Sequence, residues 1–355
     1  MERYRGELHL SPSRDRPQAS SSAPWLSALA WLVALCGLFL LPSQRAAGSP
    51  RLAKFEPARG CYLGAHLRPV GPGADIRRFE AMTGRKHASY FHYVGYGRPF
   101  PTAWVEHVKS LGAVPHIAFE PNRGLQEVQD GPYLRRWARA ARAAGCPIFL
   151  RWASEMNGHW TAYHAPASLY IEKFRLVHRV MAQEAPNVAM VWTVFYYHRR
   201  GGPMRFRAWY PGDAYVDWVG VNIYSVCHYS GSLRLKGHET DCIRALSEFY
   251  REYAARKPVQ ISEFGATHFC QVEGKPRPEF AIQTMTLFYR SLQKRFPRVK
   301  MVNLFNVNTI KAGLARNDYS VTSDPKVLNT YRRLIQDPYF LSEVPWPDDL
   351  SPEDS

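Results

Sequence analysis

The 355 residues are 46% hydrophobic and 14% aromatic, ample for a large core, which excludes wholesale disorder, a disulfide-stapled miniprotein and a fibrous repeat. Against 30 acidic residues stand 46 basic ones, a net charge of +16, to which residues 1–50 contribute five Arg against Glu2, Glu7 and Asp15. The remainder is therefore basic, but 35 of the 46 basic residues are Arg and they are scattered rather than gathered in one run. Such a charge reads as compositional habit, and no nucleic-acid partner is expected.

In chain order the first signal is Trp25 to Leu41, an uncharged, mostly apolar run followed by Pro42 and the small residues Ala46, Ala47 and Gly48. It reads as an export signal, equally a cleaved signal peptide or an uncleaved membrane anchor. Residues 1–50 are thus set apart as a polar tail plus signal or anchor, residues 51–340 as one domain, and residues 341–355 as an acidic, Pro-rich tail. Everything after the run is expected outside the cytoplasmic membrane: periplasmic, on the cell surface or extracellular. Cys36 follows Leu35 rather than a small residue, so lipidation is not expected. Export also permits disulfides among Cys61, Cys146, Cys227, Cys242 and Cys270. Cys227 and Cys242 could bridge a loop or stand as plain buried thiols. With no CxxC, HExxH or paired Cys/His clamp, no metal is expected, and with no phosphate loop ending in Gly-Lys-Ser/Thr, no nucleotide cofactor.

From Arg51 onward, short β-branched or aromatic runs alternate with amphipathic helical patterns. The strand runs are Cys61 to Leu67, Ala88 to Val94, Val114 to Phe119, Ile148 to Ala153, Val188 to Phe195, Trp218 to Tyr224, Val259 to Phe264 and Met301 to Val307. Between the third and fourth, Tyr133, Leu134, Trp137, Ala138 and Ala141 recur at helical spacing, with Arg135, Arg136, Arg139 and Arg142 on the other face. Between the fourth and fifth, Tyr170, Phe174, Val177 and Met181 do the same. Asp75, Pro101, Ser168 and Pro278 fall where helices should start. Eight such units in one domain predict the α/β class, a single (β/α)8 TIM barrel, rather than a doubly wound sheet. Function should then lie just past the carboxyl ends of the strands.

Two of those eight windows carry a glutamate. Glu155 follows the fourth strand in Arg151-Trp152-Ala153-Ser154-Glu155-Met156-Asn157-Gly158-His159-Trp160, and Glu263 closes the seventh in Ile261-Ser262-Glu263-Phe264-Gly265. Strands four and seven of an eight-membered ring stand opposite each other, so two carboxyls can face across the mouth. Cleavage of a glycosidic bond needs one protonated carboxyl for the leaving oxygen and one ionised carboxylate at the anomeric carbon. Trp160, Trp192, Phe195, Tyr196, Tyr224 and Phe305 crowd the same windows, and Asn157 and Asn222 could bind sugar hydroxyls. By composition this is a carbohydrate cleft.

These segments resemble the glycoside hydrolase family 26 β-mannanases, of the clan of retaining (β/α)8-barrel glycosidases. The family's acid/base segment looks like Arg-x-x-His-Glu-Met/Phe-Asn-Gly-x-Trp, and Arg151, Glu155, Met156, Asn157, Gly158 and Trp160 match it. Tyr210 to Gly220, leading to Tyr224, is similar to the family's approach to strand six, and Ile261 to Gly265 to its nucleophile segment. Three positions depart: Ser154 stands for the usual His, Asn222 for a usual Asp, and Leu304-Phe305 for a Trp-Phe pair. With the export read from residues 25–41, the resemblance implies a retaining endo-β-glycosidase, endo-β-mannanase-like, cleaving a β-1,4-mannan-type or related β-glycan, an exopolysaccharide included, with no organic cofactor. Glu155 would be the acid/base and Glu263 the nucleophile, about 5 to 5.5 Å apart. Arg151, Asn157, Trp160, Trp192, Asn222, Tyr224 and Phe305 would bind substrate, with Tyr224 hydrogen-bonding Glu263 and Arg151 reaching the Glu263 side. The expected partner is a polysaccharide, the expected state a monomer, tethered if residues 25–41 are an uncleaved anchor. The alternative reading is a non-catalytic glycan-binding barrel in envelope polysaccharide assembly.

Overall fold

In the computed structural model, residues 52–68, 75–196 and 206–346 are described. The apolar run at 25–41 lies outside them, and among the described residues no helix is long and apolar enough to cross a membrane.

Eight parallel strands close into a barrel: β1 Cys61–Leu67, β2 Ser89–Gly95, β3 Val114–Glu120, β4 Ile148–Trp152, β5 Val188–Phe195, β6 Trp218–Ser225, β7 Val259–Ala266 and β8 Val299–Asn306. Each pairs with its neighbours in sequence order, and β8 returns to β1 with Tyr62 opposite Met301 through Leu67 opposite Asn306. Around them run α1 Ile76–Thr83, α2 Thr102–Ser110, α3 Pro132–Ala143, α4 Ala167–Glu184, α5 Asp241–Tyr253, α6 Pro278–Arg295 and α7 Pro325–Ile335. The eightfold alternation has one departure. Among the described residues the β5–β6 connection holds only two 3-10 turns, Phe206–Trp209 and Asp213–Tyr215, where an α-helix was expected.

Local chemistry accounts for the helix positions. Asp75 caps α1 by accepting from the Arg78 amide at 2.8 Å, and Pro278 sits in the first turn of α6, where its missing N–H costs nothing. Ser168 is not a cap: α4 starts one residue earlier, after Pro166. On α3 the apolar stripe Leu134, Trp137, Ala138 and Ala141 is buried, and the Trp137 ring stacks on Phe119 of β3 with centroids 4.4 Å apart.

The barrel interior is layered, as strand alternation requires. Its lower layer is apolar: Tyr62, Ala88, Val114, Phe149, Ala189, Val191, Trp218 and Met301 pack together, joined by Val344. Phe340–Leu341 pairs with Cys61 and Tyr62, so the domain runs past residue 340, and the tail drawn at 341 begins too early. The next layer is polar and tight. Thr193 and Ser262 share a 2.9 Å hydroxyl hydrogen bond directly over Gly220, where a Cβ would lie 2.2 Å from the Ser262 hydroxyl. Only glycine fits there. All five cysteines of the described residues are free and buried, so Cys227 and Cys242 form no bridge.

Candidate active site

The sequence at the carboxyl end of β4 leaves the strand conformation without leaving the sheet. Ala153 and Glu155 take positive φ of 46° and 61°, a backbone state that costs non-glycine residues about 1–3 kcal/mol and clusters at functional sites. The ladder nevertheless continues: the Ala153 amide donates to the Phe119 carbonyl of β3 and the Glu155 amide to the Thr193 carbonyl of β5, each at 3.0 Å. The kink turns Glu155 into the mouth. There the Asn222 side chain donates to its Oε1 at 2.5 Å and the Trp160 indole to its Oε2 at 2.9 Å. Burial, reinforced by the charge of Glu263, pushes the Glu155 carboxyl up to about 7 against the pull of Asn222, Trp160 and Arg151.

Glu263 reaches the same space by another device. Asn222 of β6 pairs with Glu263 where Val221 pairs with Ile261, so β7 carries one extra residue there. This bulge lets Ser262 bond Thr193 and Gln260 inside the barrel while Glu263 also turns inward. The carboxylate is 3% exposed. It accepts from Tyr93 at 2.6 Å and from Tyr224 and pairs with the Arg151 guanidinium at 2.5 Å. Burial and then Glu263 push both phenols well above their ordinary range, which makes them donors at neutral pH. Arg151 is wholly buried; burial opposes its charge, and Glu263, Tyr93 and Glu120 outweigh it, holding its pKa above the ordinary value.

A cleft of about 880 Å³ opens over these groups and is lined by Glu155, Glu263, Trp160, Phe195, Tyr224 and Phe305 among others. Four of those rings form a continuous wall. Trp160 meets Phe195 edge-on at 5.0 Å, Phe195 stacks on Tyr224 at 6.0 Å, and Tyr224 meets Phe305 at 5.3 Å. The cleft can therefore hold a flat, hydroxylated ring between an aromatic wall and two carboxyls in different surroundings. Among the described residues no group of three or more His, Cys, Asp or Glu is arranged to hold a metal ion.

Not every residue expected to bind substrate lies in the cleft. Trp192 is fully buried and packs between Tyr210 and Tyr253 at 5.0 and 5.3 Å. On β5, Ala189 and Val191 face the barrel axis, so Trp192 faces the outer layer and Phe195 takes the position at the mouth. Asn157 donates to the Phe195 carbonyl at 2.8 Å and accepts its amide at 3.0 Å, a clamp on the end of β5 rather than a sugar contact. Arg151 and Asn222 are buried beneath the cleft and act on the two glutamates. Three mouth residues were not anticipated: Tyr93, His66 and Glu120. His66, the penultimate residue of β1, is stacked between Phe91 and Phe305, and burial lowers its pKa to about 4, so it is neutral.

Residues 130–234 match the model of glycosyl hydrolase family 26. Over this segment the chain is similar to that family. The match spans the acid/base segment and the approach to Tyr224. Endoglucanase H of Acetivibrio thermocellus is 25% identical over 294 residues, 78% of this chain but 30% of that protein. The β-1,3-xylanase TXYA of a Vibrio species is 32% identical over 114 residues, 31% of this chain and 24% of that protein. The chain thus matches less than a third of the length of these curated relatives. Among solved structures, the catalytic domain of the family 26 endo-β-1,4-mannanase of Bacillus sp. JAMB-750 superposes with a TM-score of 0.57 at 14% identity, covering 81% of this chain and 89% of that one. A modular endo-β-1,4-mannanase from Cellulomonas fimi gives 0.55 at 16% identity, over 81% and 73%. Both share the barrel.

The motif glycine of this family-like segment has a physical reason. A Cβ on Gly158 would lie 2.2 Å from the Trp160 ring, so the indole can reach Glu155 only across a glycine. Gly158→Ala is expected to displace Trp160 and lower kcat/KM on unactivated glycans about tenfold or more, from loss of the indole hydrogen bond that stabilises the carboxylate Glu155 becomes as it gives up its proton. Kinetics and a thermal melt on the same sample check this, since the melt should move little.

Proposed function

We propose that the chain is an exported retaining endo-β-glycosidase acting on a β-1,4-mannan-type or related β-glycan, an exopolysaccharide included. One observation carries the reading: two carboxyls share an aromatic cleft, one raised to about 7 and the other tied to a buried Arg and two phenols. The first is suited to protonate a leaving oxygen and the second to attack as a carboxylate. A binder without catalysis has no use for that division, so nothing favours the non-catalytic alternative.

Endo-β-1,4-mannanases, an endoglucanase and a β-1,3-xylanase are among the relatives. A reducing-end assay over β-mannan, mixed-linkage and plain β-glucan, and β-1,3-xylan therefore tests the substrate, with release expected from mannan or a related β-glycan and from no α-glycan. Absence of release from every β-glycan would overturn the reading.

The pH profile follows from Glu155. Its active form is the protonated one, and the raised pKa of about 7 keeps that form populated far above the ordinary carboxyl range. Hence kcat/KM should hold up to neutrality and fall about tenfold per pH unit above it. A basic limb near pH 4.5, the ordinary value, would contradict the assignment.

Location is proposed from the run at 25–41: a monomeric barrel outside the cytoplasmic membrane, tethered if that run is retained. A reporter fused after Gly60 should be active outside that membrane; activity confined to the cytosol would refute it.

A further inference from the structure

Glu120 is a third carboxyl in the cleft wall and has no part in the two-glutamate chemistry. It is the last residue of β3, and its backbone carbonyl is pinned by the amides of Tyr96 at 2.7 Å and Asn122 at 2.9 Å. Its Oε1 accepts from the Ser154 hydroxyl at 2.8 Å, and Ser154 is itself held by the Tyr163 hydroxyl, which donates to its carbonyl at 2.8 Å. The group is thus fixed in place without substrate, as a recognition element should be. Burial raises its carboxyl above the ordinary value, and the charges that act on it are those of Arg151 and Glu263. Its strand lies beside β2, whose Tyr93 donates to Glu263 at 2.6 Å, and this places Glu120 on the Glu263 side of the cleft. Ser154 is the residue before Glu155, so the same side chain that departs from the family pattern is the one that sets Glu120.

We infer that Glu120, oriented by Ser154, is a specificity-determining residue that accepts hydrogen bonds from ring hydroxyls of the sugar destined to bond to Glu263. The inference rests on the glycosidase reading for which sugar that is. The chemistry is that of a carboxyl group approached by the Ser154 and Tyr163 hydroxyls, in the cleft lining, with acceptor positions beyond those two. A sugar hydroxyl is the neutral donor that satisfies it without bringing a new charge beside Arg151 and Glu263. A site that hydrogen-bonds a hydroxyl discriminates against analogues lacking it more sharply than an apolar wall can.

The test uses the full chain, Glu120→Ala and Glu120→Gln, with activated aryl glycosides, their monodeoxy analogues and matching oligosaccharides. Glu120→Ala should lower kcat/KM about tenfold to a hundredfold on activated and unactivated substrates alike, because both present the same sugar to Glu263. One monodeoxy analogue should be handicapped by wild type yet equal to its parent in Glu120→Ala, a selective effect that general loosening of the fold would not give. Glu120→Gln, which still accepts from Ser154, should lose less and keep the same melting temperature. Calorimetric binding of the oligosaccharides to wild type and Glu120→Ala gives a readout independent of turnover, with weaker binding expected in the variant. Unchanged binding and unchanged kcat/KM, or an equal loss for every deoxy analogue, would overturn the role of Glu120. Binding that weakens in Glu120→Ala although wild type turns nothing over would support Glu120 and overturn the glycosidase reading alone.

Discussion

Glu263→Ala should abolish turnover of every glycoside, activated or not, by a factor on the order of 10⁵ to 10⁶, the scale seen when an enzyme loses its nucleophile. The bulge in β7 aims this side chain, and the hydroxyls of Tyr93 and Tyr224 with the Arg151 guanidinium fix its orientation. No neighbour can replace it. Glu155 is held by Asn222 and Trp160 and is proposed to serve the leaving oxygen, and Glu120 is bound to Ser154. Removing the carboxylate also leaves Arg151 buried without its counter-ion, and breaking a buried pair in this way costs about 3 to 5 kcal/mol. Glu263→Gln should therefore accompany the alanine variant: it keeps the shape and two of the acceptor contacts, and it should be as inactive while melting closer to wild type. Residual activity in both variants within tenfold of wild type would remove Glu263 from the chemistry.

Glu155→Ala should behave differently. Loss of a general acid costs about 10²- to 10⁴-fold when the leaving group needs a proton, so oligosaccharides and unactivated glycans should suffer that loss. An aryl glycoside with an acidic phenol departs unaided, and its first step should be nearly spared. The second step still lacks a base for water, so the covalent intermediate should accumulate. Azide, which needs no base, should then speed release and yield a glycosyl azide. Equal losses on activated and unactivated substrates, with no response to azide, would sink the role given to Glu155.

Much of this arrangement is legible in the chain because the strand runs are strongly β-branched or aromatic and the helices between them strongly amphipathic. All eight strand windows lie within two residues of the observed strands, and Glu155 and Glu263 both reach the cleft. What escaped depends on strand parity and on contacts between distant segments. Trp192 looked like a sugar platform by composition, yet the period-two alternation through Val191 and Thr193 already places it outside. The bulge that turns Glu263 inward beside Ser262 has no local signature. Tyr93 lies two residues beyond inward-facing Phe91, and Glu120 closes its strand before Pro121, an acid at a strand end that the pairing of Glu155 with Glu263 does not use. Among the described residues, the β5–β6 connection holds 3-10 turns where the alternation predicts an α-helix, and its segment Pro211-Gly212 carries turn residues in place of an apolar stripe.

The proposed mechanism is a double displacement at one anomeric carbon, with Glu263 bonded to the sugar between the two steps. Proton NMR of the first product formed from a β-linked oligosaccharide, read before mutarotation, tests it most directly. The β anomer should appear first at the new reducing end, with net retention; the α anomer appearing first would mean that water attacks directly and that Glu263 never forms the covalent bond.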